Sequence, residues 1–163
     1  MTRLHLLPRA ASLAAILLLA VLAAPALAAD SGDDSKSTPA TASEQIAASL
    51  ADVRLAIKAE NWDKAIRLLN AMVSDGKANA DVYNLLGFSL RKSGDMENAL
   101  DFYQKALKLN PRHKGAHEYL GELYVETGKL DKAREELNIL AKLCGNNTCE
   151  EYEDLAKAIA AAS

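Results

Sequence analysis

From Ile46 onward, apolar residues return every three or four positions, the spacing of a helix with one buried face. Ile46, Leu50, Val53 and Ile57 mark the first such face, and Glu60-Asn61 interrupts it. A second segment carries Trp62, Ala65, Ile66, Leu69 and Met72-Val73. It ends at Asp75-Gly76, where glycine can take the left-handed geometry of a helix end. Between Ala80 and His113 the order is Tyr83, Leu86, Gly87 and Leu90, a break at Ser93-Gly94-Asp95, then Ala99 and Tyr103, closed by Asn110-Pro111. His117, Leu120, Gly121, Leu123 and Tyr124 follow. Gly128 breaks the pattern before Leu130, Ala133, Leu137, Leu140 and Leu143, and Tyr152, Leu155 and Ile159 mark a last short helix. The pattern predicts an all-α chain of paired helices. Thr41-Ala42-Ser43-Glu44 and Thr148-Cys149-Glu150-Glu151 have the form of capping boxes. Asn110 is the expected N-cap of the following helix, with Pro111 in its first turn.

The start of the chain reads differently. Arg3, His5 and Arg9 precede an apolar run from Ala10 to Ala24, and Pro25-Ala26-Leu27-Ala28 supplies small residues before a cleavage point. This is the form of a secretory signal over residues 1–28. The run falls short of the ~20 apolar residues that a spanning helix needs. Residues 29–40, ADSGDDSKSTPA, have no apolar periodicity and read as a disordered linker. The expectation is a helical domain over 41–163 delivered to the periplasm or secreted, with no membrane insertion after signal cleavage. No cysteine follows the apolar run, which argues against a lipid anchor.

The helical part repeats itself. Ala65, Ala99 and Ala133 share one spacing, as do Trp62, Met96 and Leu130, and Leu69, Tyr103 and Leu137; Leu86-Gly87 and Leu120-Gly121 keep the same step, as do Gly94 and Gly128. The spacing is 34 residues, the length of a helix-turn-helix repeat unit. Small residues in these columns suit helix axes crossing at about 8–10 Å, and Gly94 and Gly128 suit turns that need a positive φ. On these columns the chain resembles the tetratricopeptide-repeat family, with units at 46–79, 80–113 and 114–147. The first unit is degenerate in its leading helix, and the third carries Leu140 where a small residue is usual and Gly145 where the closing proline is usual. A capping helix over 149–162 then covers the last unit with Tyr152, Leu155 and Ile159. Its charged residues Glu150, Glu153, Asp154 and Lys157 are expected on the solvated side. The resemblance implies an all-α solenoid of three repeats plus this cap.

Composition narrows the function. The chain has 163 residues and a net charge of −3. Removal of Arg3 and Arg9 with the signal segment takes it to −5. A mildly acidic domain offers no electrostatic attraction for nucleic acid. Neither a nucleophile motif nor a phosphate loop is present, so no catalytic residue, cofactor or metal site is expected. His113 and His117 are four apart, but His117 falls in the Tyr83 packing column and no third ligand accompanies them. Cys144 and Cys149 straddle the turn before the cap. In an oxidising compartment they read as a disulfide worth about 2 kcal/mol.

The resemblance further implies a concave groove lined by the first helix of each unit. Its inward columns would be Leu50, Asn84 and Glu118; Arg54, Phe88 and Glu122; Ile57, Arg91 and Val125; and Lys58, Lys92 and Glu126. Arg54, Lys58, Arg91 and Lys92 would form a basic end, the three glutamates an acidic one, and Phe88 an apolar anchor. The Lys and Asn clamp of chaperone-tail-binding relatives is not reproduced here. The expected function is non-catalytic binding of a protein or peptide partner in the bacterial cell envelope. The alternative is a structural or homo-oligomerising subunit of an envelope assembly.

Overall fold

The computed structural model describes residues 42–145 and 147–163, the backbone alone for 42–45, 47 and 48. The expected signal segment, the linker and the capping box at Thr41 lie outside what it describes. Seven helices follow one another: α1 (Ala42–Lys58), α2 (Trp62–Ser74), α3 (Ala80–Lys92), α4 (Met96–Leu109), α5 (Lys114–Glu126), α6 (Leu130–Cys144) and α7 (Glu150–Ala161). No strand occurs among the described residues.

The caps recur with the repeat. Asn61 and Asp95 occupy one column, and their side chains accept from the Lys64 and Asn98 amides at 3.0 and 3.2 Å. Asn79 and His113 occupy another, accepting from the Val82 and Ala116 amides at 2.9 and 3.1 Å. Each bond satisfies a first-turn N–H that has no partner within its own helix. His113, and not Asn110, therefore caps α5. Asn110 lies one turn too far upstream, because Pro111 and Arg112 form a turn between it and His113. It is extended (φ −136°) and ends α4, while its side chain turns back to accept from the Arg112 amide. Pro111 lies in the connecting turn. At α7 the N-cap is Cys149 rather than Thr148 and makes no side-chain cap bond, because its sulfur is joined to Cys144.

The alanine column is fully buried: Ala65, Ala99 and Ala133 expose nothing. Gly87 answers Ala99 across the α3–α4 crossing. A Cβ at Gly87 would sit 2.7 Å from the Tyr103 ring and 3.1 Å from the Ala99 carbonyl, so the two helices meet too closely for any side chain there. At Gly121 the intruder is Leu155 of α7, 2.4 Å from where a Cβ would stand. Leu155 falls one period after Gly121, so α7 has the register of a fourth unit's first helix. Leu155 and Ile159 bury themselves against α5 and α6, and Tyr152 packs partly against the same core, as a cap requires.

Two cores result. Leu50, Val53, Leu69, Met72, Val82 and Leu86 fill the first. Tyr103, Leu120, Leu123, Leu140 and Leu155 dominate the second. Leu90 packs against both. Successive first helices touch directly, α3 with α5 and α5 with α7. They share an inner face, and the candidate site lies on it.

Candidate interaction groove

Phe88 sits at the centre of this face, half-buried. Its ring packs against Trp62 at 6.0 Å between centroids and against Tyr119 at 4.8 Å. Three units thus contribute one aromatic each to a continuous ladder. Lys92 is exposed and places its ammonium 5.7 Å from the Phe88 ring centroid, within cation–π range. Next to it an open depression of about 590 Å³ is bounded by Glu60, Trp62, Asp63 and Lys92. Arg54 and Lys58 are exposed on α1.

Other expected groove residues turn inward. Arg91 is buried, 3 % exposed, and is no open cation. Its guanidinium donates to the Glu122 and Glu126 carboxylates of α5, and its Nε donates to the Tyr103 hydroxyl at 3.4 Å. It also lies 5.6 and 5.9 Å from the Phe88 and Tyr119 ring centroids. A buried guanidinium needs such partners, since an unpaired charge away from water is costly. The basic end is therefore Arg54, Lys58 and Lys92. Leu50 is buried in the first core, and Ile57 and Val125 are half-buried, packed against the first and second cores respectively.

The acidic end is larger than its sequence suggests. Glu118 is buried, and its carboxyl is pushed up to about 8 by that burial first, then by Glu122, Asp154, Glu151 and Glu150. Three of those four carboxylates come from α7. Glu150, Glu153 and Lys157 are exposed as expected, whereas Asp154 is half-buried and does not belong wholly to the solvated side.

The histidines go to separate partners. His113 Nδ1 accepts from the Ala116 amide while Nε2 donates to Asp81 at 3.0 Å. His117 is buried, with Nδ1 2.7 Å from Glu136 and Nε2 donating to the Pro111 carbonyl at 3.0 Å. Burial pulls the His117 pKa down, but the Glu136 bond and the Pro111 carbonyl outweigh it and raise it. Both partners accept, so the doubly protonated ring fits best. Cys144 and Cys149 form the expected disulfide, with Cα atoms 6.0 Å apart. Glu151 lies near the two sulfurs, but a bonded pair of sulfurs supplies no thiolate for a metal.

Antiparallel helix pairs in a 34-residue register, stacked so that their first helices share a face, define a helical-repeat solenoid. Sequence models described as tetratricopeptide repeat match residues 50–112 and 90–160. The chain belongs to the tetratricopeptide-repeat family, whose members are non-catalytic interaction modules. Among curated proteins, it is 39% identical over 54 residues to the uncharacterized protein ycf37 of Pyropia yezoensis, covering 33% of this chain and 30% of that one. It is 37% identical over 78 residues to the peroxisomal targeting signal receptor of Candida albicans, covering 48% of this chain and 13% of that one. The chain thus spans less than a third of the length of either relative. Among solved structures, the Sgt2 domain from Aspergillus fumigatus superposes with a TM-score of 0.64 at 18% identity, over 77% of this chain and 78% of that one. The TPR2B–pHsp70 complex of yeast Sti1 gives 0.65 at 14%, over 72% and 95%. PcrH in complex with the chaperone-binding region of PopB gives 0.60 at 20%, over 73% and 94%. At these identities the structures share the fold.

Proposed function

We propose that this chain is an exported interaction module that holds a partner protein or peptide along the inner face of α1, α3, α5 and α7, in the bacterial cell envelope. The observation that carries the reading is the half-buried Trp62–Phe88–Tyr119 ladder, set between the basic Arg54, Lys58 and Lys92 and the acidic end around Glu118. An apolar strip with opposite charges at its two ends is suited to orienting an extended segment. Sti1 and PcrH, which share the fold, were solved with a bound partner. The signal-like start and the Cys144–Cys149 disulfide support an oxidising compartment. Self-association is the second reading; Leu55 of α1, 64 % exposed, is the residue that favours it.

The test is photocrosslinking in the envelope from a photoreactive residue at Lys92 or, as control, at Gln104 on α4. Adducts with another protein from Lys92 and not from Gln104 are expected. Adducts formed chiefly from Gln104 would move the site off the inner face, and an adduct of twice the chain mass would favour self-association.

A further inference from the structure

Asn84 and Glu118 occupy the same inward column one unit apart, and both are buried. Asn84 is 6 % exposed and its Oδ1 has no hydrogen-bond partner. Its Nδ2 lies 3.4 Å from where a Cβ on Gly115 would stand. The amide therefore rests on the first turn of α5, one turn before Glu118 and on the same helical face. Glu118 is 9 % exposed and makes no hydrogen bond or ion pair among the described residues. Buried polar groups are nearly always paired, so the unsatisfied Asn84 Oδ1, one unit from the uncompensated Glu118 in the same column, points to an absent donor.

The surrounding charges identify that donor. Around Glu118 stand Glu122 on its own helix and Glu150, Glu151 and Asp154 on α7. The nearby cations are already engaged: Arg91 with Glu122 and Glu126, Lys114 with Glu151 at 3.2 Å and Lys157 with Asp154 at 2.9 Å. α3 offers Glu118 the uncharged Asn84 and the committed Arg91. Glu118 is left with no cation, and Glu150 has only the more distant pull of Lys157. A divalent metal does not fit. Among the described residues, Glu118 belongs to no trio of acidic, His or Cys side chains whose ligand atoms lie within 4.8 Å of one another. A lysine or arginine needs no such convergence, because it brings several N–H donors on a long stem.

We propose that Glu118 and Asn84 form a receiving site for one lysine or arginine side chain of the partner segment, with Glu150 at its mouth. This rests on the inner face being the binding surface. The incoming cation donates to the Glu118 carboxylate and to Asn84 Oδ1, replacing the proton that the empty site holds. A partner glutamate would face like charge and be rejected, so the site selects as well as binds.

The two ionisations set the pH dependence. Glu118 titrates near 8 in the free protein, whereas lysine and arginine stay charged throughout the range. Binding requires ionised Glu118, so affinity rises with pH, by roughly tenfold or more from pH 6 to pH 8. Stability of the free protein runs the other way. The folded carboxyl holds its proton more tightly than the unfolded one, whose ordinary value is 4.5. This contribution is therefore lost as pH rises through that window.

The experiment uses the full chain, immobilised, against pools of degenerate nonapeptides with a fixed central Lys, Arg, Gln or Glu. The Lys or Arg pool should bind about tenfold tighter than the Gln and Glu pools at pH 8, with the preference shrinking at pH 6. Glu118→Gln should abolish both the preference and its pH dependence. It should also melt a few degrees above the parent at pH 8, which shows that the site and not the fold was lost. A Lys or Arg preference that survives Glu118→Gln overturns the assignment. If all pools bind equally and Phe88→Ala weakens each of them, the cationic site is wrong and the groove stands. If no pool binds at either pH, the proposal falls together with the groove.

Discussion

Arg91 carries the sharpest lesson at the scale of single residues. Its column predicts a cation on the inner face, whereas the structure buries it. The column cannot show that the side chain crosses to the next unit and ends between Glu122 and Glu126, 31 and 35 residues away. Helical periodicity gives a direction; reach and pairing depend on neighbours one period off. For the same reason the carboxylates of α7 around Glu118 were not legible, since their helix reads as a cap with a solvated face. Arg91→Ala should lower stability by about 2–4 kcal/mol in urea unfolding, because it strands two partly shielded carboxylates and the Tyr103 hydroxyl. A loss under about 0.5 kcal/mol, the level of an ordinary surface substitution, would mean that the pairing contributes nothing. Lys92, exposed above Phe88, is the variant suited to probing binding, because its removal leaves the core intact.

At the scale of elements, the sequence was most readable where one residue type can do the job. The 34-residue recurrence of Ala65, Ala99 and Ala133 located the helix crossings, and all three are fully buried. Gly94 and Gly128 located the turns, with φ of 95° and 71°. The same column in the first unit holds Glu60, which adopts φ 51° although it bears a Cβ. A glutamate gives no hint of a left-handed turn, so the position was visible only as an interruption. Left-handed geometry costs a residue with a side chain about 1 kcal/mol relative to glycine. Glu60→Gly should therefore stabilise the chain by about 0.5–1 kcal/mol, read as a higher urea midpoint at unchanged slope. A lower midpoint would show that the Glu60 side chain makes a contact outweighing that strain. The cap at α5 was misplaced for a related reason. Asn110 is a good capping residue by type, but the chain makes one more turn at Pro111-Arg112 before α5 begins, and His113, a rarer cap in the column of Asn79, takes over.

For the whole molecule, the repeat period fixed the architecture, and the departures from it fixed how the solenoid ends. Leu155 replaces the glycine of its column and fills the space that Gly121 leaves open, so α7 closes the second core. The Cys144–Cys149 bridge ties the start of α7 to the end of α6. Held there, α7 also brings Glu150, Glu151 and Asp154 to the acidic end, so one helix both terminates the stack and shapes the candidate site. The aromatic ladder likewise exists only in the assembled stack, since Trp62, Phe88 and Tyr119 come from three units. The most direct test of binding on the shared inner face is amide chemical-shift mapping of the full chain, titrated with the tightest peptide of the lysine pool. Perturbations should concentrate at Arg54, Phe88, Lys92, Glu118 and Glu122, with the exposed residues of α4 and α6 unchanged. Perturbations centred on Gln104, Lys108 and Asn138 instead would contradict an inner-face site.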